Sequence, residues 1–586
     1  MKLINTKVTA IAAAMSLAVT ASVAVADIPY EVWGSDQSNS VAGATGPGQL
    51  GSFLWVWDSE DVNTQLGGGA DAQAMGCDPA NTPGAGPCDM LEVFPGSLKE
   101  MNENSATGNK LRDLPQFGRL HGMLPDPQNR YMNINSFTPG GGYVGIVDGD
   151  TKEAVALWRV TQTNAPSGTG RSLHMSFWSA DGNAMYLANL HGRILERIDI
   201  KRNKKGKIVS ATYNKSASLG VGKNMAIVDE ATAFSGKNAH GNKLVSEVKG
   251  NYKKADLGNL TPAGYCRENS CGGTDAPNGG RPGNVIVCPI VSNSDKVYIT
   301  FGGGGLLVAD GNNTPMNIVS EYDQETLNGA GCGGIQQGDN VWLNAGAYAG
   351  GSGATQSTFT MYTIDDTVSG GGFANTPLPL EVFKDIGNTS TLGNTFGPAS
   401  NGTGQLPGTT TRRDAHGMGI TSDGAYIHQS DRLQNNVVVF DTANPVAGPI
   451  TTYDLTSANG DGTGGDGPCA AKAADGVPAA YANDPAPDLM GTDPNGDYLM
   501  VATRGPNPVS VGHNAQGSCP GVGIIELTNG GQSGKLVGVL RTTNNIDTTA
   551  AGASLADKGG YNYVGMDATE KSDPHGASVR IRVEDE

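Results

Sequence analysis

What the sequence has little of narrows its meaning first. Charged residues make up 16% and aromatics 6% of the 586 residues, and no basic cluster exceeds the stretch from Arg202 to Lys207. With a net charge of −18, the chain offers no electrostatic footprint for nucleic acid or an anionic membrane surface, and neither is expected as a partner. Beyond the first 26 residues there is no run of about 18 apolar residues, so no membrane span is expected there. G-x-S-x-G elbows, Walker loops and C-x-x-C-H haem sites are missing, and the glycine-rich runs read as turn material rather than as a Rossmann fingerprint. Those absences set aside the α/β-hydrolase, nucleotide-binding and c-type haem classes.

Glycine and proline, at 86 and 31 residues, are what the chain does have, and they fit many turns between short strands better than helices. The N-terminus reads as a secretory signal peptide. Lys2 and Lys7 precede an apolar stretch of small residues, and Ala24-Val25-Ala26 stands before Asp27. The expected division is therefore residues 1–26 as signal peptide and 27–586 as the mature chain, periplasmic or secreted. Eight cysteines, an even number, suit disulfides in such a compartment. Sequence proximity pairs Cys77 with Cys88, Cys266 with Cys271 and Cys469 with Cys519, leaving Cys288 and Cys332.

Internal repetition decides the fold class. An apolar strand ending in an acid recurs seven times, at Asp58, Asp148, Asp199, Asp310, Asp365, Asp441 and Glu526. Six of the seven follow a hairpin with a polar turn, of which HGMGITSDGAYIHQS from His416 is the clearest. The hairpin strand absent before Asp58 is found at the other end of the chain, in DPHGASVRIRV at 573–583. The pattern predicts an all-β, seven-bladed β-propeller whose last blade is closed by N-terminal and C-terminal strands. Gly-, Asn- and Ser-rich insertions at 61–117, 213–283, 385–412, 456–484 and 543–572 are expected as loops on the propeller faces, within one domain.

Counting back seven residues from each turn apex gives a column: His121, His174, Cys288, Cys332, His416 and Asp488, with His575 matched through DPHG to DAHG. Every member belongs to a residue type that binds metals, and first strands line a propeller's axis, so the predicted metal ligands are His121, His174, His416, Asp488 and His575. Two readings stay open for the histidines, ligands or caps of their strands, and for Cys288 and Cys332, a disulfide or metal ligands. His428, His240 and His513 read as packing or loop residues. Arg412, Arg413, Asp414, Lys110 and Arg119 flank column members and read as surface or ion-pair residues that can also orient a histidine or bind an anion.

The repeated hairpin resembles YVTN-type seven-bladed propellers over most of the mature chain. SLHMSFWSADGNAMYLANLHGRILERIDI, residues 172–200, is similar to a blade of the nitrous oxide reductase propeller. DAHGMGITSDGAYIHQSDRLQNNVVVFD, residues 414–441, resembles blades of that family and of the thiocyanate dehydrogenases. The resemblance implies a multinuclear copper centre held by His121, His174, His416 and His575. It further implies an exported oxidoreductase acting on a small inorganic or sulfur/nitrogen compound, with an electron-transfer protein as candidate partner. Two departures separate the chain from nitrous oxide reductase: no cupredoxin domain follows the last repeat, and Asp488 and two cysteines stand where that family has further histidines. Two alternatives to an oxidoreductase are a non-catalytic propeller that recognises a partner through its loops, and a lactonase-like hydrolase using a divalent ion.

Overall fold

A computed structural model describes residues 27–37, 53–67, 88–89, 120–138, 141–161, 173–190, 192–221, 231–238, 240–252, 286–302, 304–322, 326–327, 329, 331–349, 355–367, 378–385, 413–462, 466–470, 484–505, 517, 519–542 and 572–583. Among them the strands form seven sheets arranged as a β-propeller. The meander around His416 is representative: Ala415–Ile420, Tyr426–Asp431, Asn436–Asp441 and Pro449–Asp454 follow one another from the axis outward. One sheet joins both ends of the described chain, with Pro574–Ile581 paired antiparallel to Tyr30–Asp36, which pairs in turn with Phe53–Asp58.

The recurring polar residues make the turns. Asp423 Oδ1 accepts from Thr421 Oγ1 at 2.6 Å and from the Ala425 amide at 3.0 Å, while Thr421 Oγ1 accepts from the Tyr426 amide at 3.0 Å. Asp181 and Ser179 repeat the arrangement in the blade of His174. Gly424 and Gly182 follow these aspartates at φ of 73° and 70°, a left-handed conformation that favours glycine. Four of the acids that end the third strands accept the amide two residues on: Asp310 from Asn312, Asp365 from Thr367 and Asp441 from Ala443, each at 2.9 Å, and Asp148 from Asp150 at 3.1 Å. Their recurrence is turn chemistry.

The blades are glued by apolar clusters, each shared by two neighbours. Val437 and Val439 pack toward the blade of Asp488, whereas Val438 and Phe440 pack toward that of Trp342. Both faces of a middle strand are therefore covered, and this is why VVVF is a continuous apolar run. Full burial contributes about 1.5–3 kcal/mol for each such side chain. The same division holds for Met500 and Ala502 against the blade of Trp57, and for Leu499 and Val501 against that of Tyr453.

Part of the insertion at 213–283 departs from the face-loop expectation. Thr232–Ala233 pairs with the outer strand Ala154–Thr161, and Ser246–Lys249 runs parallel to the outer strand Ile208–Asn214. These additions satisfy backbone groups that an open sheet edge would expose. Asp58 begins the one α-helix among the described residues, Ser59–Leu66, through a reciprocal cap with Asp61. Disulfides join Cys469 to Cys519 and Cys288 to Cys332; Cys77, Cys266 and Cys271 lie outside the described residues.

Candidate metal centre

The innermost strand of each blade carries a column residue to the axis, and a local irregularity aims it there. The ladder of Leu120–Gly122 shifts register between Leu120 and Gly122, around His121. The same shift surrounds His174, Cys288, His416, Asp488 and His575. A bulge unpairs one residue and bends the strand, so the side chain leaves the sheet's own alternation. Cys332 precedes its strand, Gly334–Gln337. Polar groups of the second strands fix the backbone here: Asn135 Nδ2 donates to the Gly122 carbonyl at 3.0 Å, and Gln429 Nε2 to that of Gly417 at 2.8 Å.

The five predicted ligands lie side by side around the axis. The His121 ring sits 3.9 Å from that of His174 and 4.0 Å from that of His575, centroid to centroid. His416 Nε2 is 3.0 Å and His575 Nε2 is 3.9 Å from Asp488 Oδ1. Ligand atoms of His416, Asp488 and His575 all fall within 4.8 Å of one another, and those of His174, Cys288 and Cys332 do likewise. The column thus has two arcs, with His121 lying between their imidazoles, its ring tilted against both.

Asp488 is fully buried, and its two oxygens face different surroundings. Oδ2 accepts from Arg504 Nη1 at 2.8 Å and from Arg432 Nη1 at 3.0 Å. Arg432 continues to Asp414, with Nη2 at 2.6 Å from Oδ2, and Arg504 continues to Asp573 through bonds of 2.8 and 2.7 Å. Asp573 is anchored through its amide to Asp36 at 2.8 Å. Burial alone would raise the Asp488 pKa, but His416, His575, Arg432 and Arg504 together outweigh it and hold the carboxyl well below the usual carboxylate range. Burial, reinforced by neighbouring imidazoles, pushes His121 well below its ordinary value. Burial does the same to His575, against the pull of Asp488. The buried, neutral imidazoles of His121 and His575 beside a firm carboxylate make a metal-ready donor set.

Two observations test whether the residues fit a metal. Asp488 Oδ1 is buried with no hydrogen bond of its own, although two imidazole nitrogens face it. His575 Nδ1 donates to the His121 carbonyl at 2.8 Å, so its Nε2 presents a lone pair toward that oxygen. A carboxylate oxygen and an imidazole lone pair turned toward each other make a donor set that fits a cation.

Beyond the ring lies a cavity of about 230 Å³, lined among others by Met123, Met175, Met418, Met490 and Cys332. Its methionines follow ring residues by one or two positions along the inner strands.

The other flagged residues take ordinary roles. Buried His428 has Nδ1 3.0 Å from Tyr453 Oη and Nε2 2.8 Å from the Gly531 carbonyl, and burial lowers its pKa to about 4. His240 lies beside Glu153 at 3.8 Å. Arg413 pairs with Asp431 and Asp385 and stacks 4.4 Å above Phe359. Arg412, Lys110, Arg119 and His513 are outside the described residues. Arg432 and Arg504, which set the charge of Asp488, escaped the sequence reading; the available signal was an arginine directly after the second strand in two successive blades.

The fold and this ring define the class: a seven-bladed β-propeller with imidazole, carboxylate and cysteine side chains converging on its axis. Among solved structures it is similar to a protein from Lactobacillus plantarum, at 11% identity over 87% of this chain and 95% of that one, with a TM-score of 0.41. It is also similar to Kuenenia stuttgartiensis hydrazine synthase, at 12% identity over 70% and 76% of the two chains and a TM-score of 0.33. A hypothetical selenium-binding protein from Sulfolobus tokodaii matches at 9% identity over 94% and 93%, with a TM-score of 0.41. Likenesses at this level carry no argument about substrate or cofactor. No protein-family model and no curated protein matches the chain.

Proposed function

We propose that the ring binds copper and that the protein is an oxidoreductase acting on a small inorganic or sulfur/nitrogen compound. The observation that carries this reading is Asp488 Oδ1, buried without a hydrogen bond between the Nε2 atoms of His416 and His575. Imidazole and carboxylate would serve zinc as well as copper, and the preference for copper is supported by the likeness of the repeated hairpin to the copper propellers. Bound copper would supply one-electron redox chemistry.

The chain's own residues prepare the site. Arg432 and Arg504 keep Asp488 ionised, which makes it a weak base and suits it to be an anionic ligand rather than a proton acceptor. The His121 carbonyl orients His575, and the bulged inner strands hold the remaining imidazoles at the axis. A cavity of about 230 Å³ admits a molecule of a few heavy atoms and falls short of the roughly 300–1,000 Å³ of sites for larger ligands. Removing electrons from such a molecule needs an acceptor, and the proposal names an electron-transfer protein. It also places the protein outside the cytoplasm, supported by the two disulfides among the described residues and by the signal-peptide pattern of residues 1–26.

The test is metal content by mass spectrometry on protein exported in a bacterial host and purified without chelator, beside a His416→Ala, His575→Ala double variant. Whole-number copper, lost from a folded double variant, is expected. Zinc alone, or no metal after copper reconstitution, overturns the proposal.

A further inference from the structure

The ring's second arc is built differently from the first. His174 Nδ1 lies 3.8 Å from Cys288 Sγ and 3.6 Å from Cys332 Sγ, and the two sulfurs are bonded to each other. We propose that reduction of Cys288–Cys332 turns this arc into a second metal site, a Cys₂His site for a divalent thiophilic cation of the zinc class.

Geometry comes first. The three donor atoms already fall within 4.8 Å of one another, and the two cysteines have Cα atoms 5.3 Å apart. Two thiolates and an imidazole, with a fourth position open to water, make a recognised zinc-class set. The blades these cysteines join also meet through apolar packing. Ile290, Tyr298, Val308, Val341, Leu343 and Tyr362 form one buried cluster across that interface.

Access is the second point. Cys332 and His174 are half-buried, and Cys332 lines the cavity beside the ring. Reductant and cation therefore share a route. The other described disulfide has no such setting: Cys469 and Cys519 are both buried in an apolar cluster, where the bond acts as a staple.

The chemistry balances with a dithiol as reductant. Its two sulfurs join into a disulfide as the Cys288–Cys332 bond breaks, and two electrons and two protons pass to the protein thiols. The cation then binds both sulfurs and the His174 imidazole while the two thiol protons leave to solvent. Exchange with a small-molecule disulfide reverses the sequence: its S–S bond breaks and takes up two electrons and two protons as the Cys288–Cys332 bond forms and the cation is expelled, so oxidised and metal-bound forms of this arc exclude each other.

The inference does not rest on copper at the first arc, and its test keeps the two apart. Full-length mature protein is reduced with a dithiol, desalted anaerobically and titrated with cadmium, with the oxidised protein in parallel. One additional cadmium per chain, with an ultraviolet thiolate-to-cadmium charge-transfer band, is expected only after reduction. The band should vanish in Cys288→Ser, Cys332→Ser and survive in Cys469→Ser, Cys519→Ser and in His416→Ala, His575→Ala. His174→Ala should weaken binding about tenfold or more. Should the Cys288→Ser, Cys332→Ser variant not fold, alkylation mapping of reduced wild type decides, with cadmium expected to shield both cysteines. A reduced wild type without the band, a band that persists without Cys288 and Cys332, or no shielding overturns the proposal.

Discussion

The Nδ1–H of His575 donates to the backbone carbonyl of His121, 2.8 Å away, across the join between two blades. A carbonyl only accepts, so the proton of the neutral ring sits on Nδ1 and Nε2 is left to bind. Free imidazole does not hold this arrangement rigidly; the propeller does. In metal-free protein, histidine-selective nitrogen NMR is expected to show His575 in the Nδ1-protonated form, with Nε2 the nitrogen perturbed on copper addition. An Nε2-protonated resonance would contradict the orientation described.

Arg504→Met removes a cation from between Asp488 and Asp573, both fully buried. Asp573 then loses this guanidinium while Asp488 keeps only that of Arg432, and a loss of about 3 kcal/mol in unfolding free energy is expected from denaturant titration. Arg504→Lys should recover only part of it, because a single ammonium cannot bridge Asp488 and both oxygens of Asp573 as the fork does.

Gly417 follows His416 where the inner strands crowd the axis. A Cβ at this position would stand 2.0 Å from the Asp488 carbonyl oxygen and 2.8 Å from its carbonyl carbon. Gly417→Ala must therefore push two ring positions apart, costing about 1–3 kcal/mol in stability. Copper affinity should fall about tenfold or more in a chain whose circular dichroism is unchanged, and undiminished affinity would detach Asp488 from the metal site.

His428 provides a pH signature separate from the ring. Its pKa is about 4 in the fold against an ordinary 6.5, so the unfolded chain binds the proton more readily. The stability this contributes is complete above pH 6.5 and is lost as pH falls through the window down to about 4. In chelator-treated protein, the gap in unfolding free energy between wild type and His428→Gln should shrink on going from pH 7.5 to 4.5, by about 2–3 kcal/mol at most. A gap that is constant with pH would mean that His428 is not neutral in its cavity.

The column was legible because six members obey a local rule, seven residues before a polar turn residue visible in the sequence, and His575 shares its DPHG setting with the DAHG of His416. The apolar run at Val437 to Phe440 was legible as a strand, but its burial on both faces needed the flanking blades. Arg432 and Arg504 were opaque for another reason. Each meets a carboxylate in a neighbouring blade, Asp488 for Arg432 and Asp573 for Arg504, 56 and 69 residues along the chain, and only blade packing creates the pairs. The bulges around the ring residues leave no composition signal, since Leu120, Leu173 and Ala415 before them are ordinary strand residues. The edge strands Thr232–Ala233 and Ser246–Lys249 are too short to announce themselves.

The hydrogen bond from His575 to His121 spans 454 positions of sequence. A site assembled from such distant segments has a very high contact order, and loop closure must precede any reward from its contacts. Early fragments of the chain cannot offer the complete donor set to a stray ion. The proposed grip on a metal at this axis would arise only once the whole circuit of blades has been laid down, which would make metal uptake a readout of finished folding.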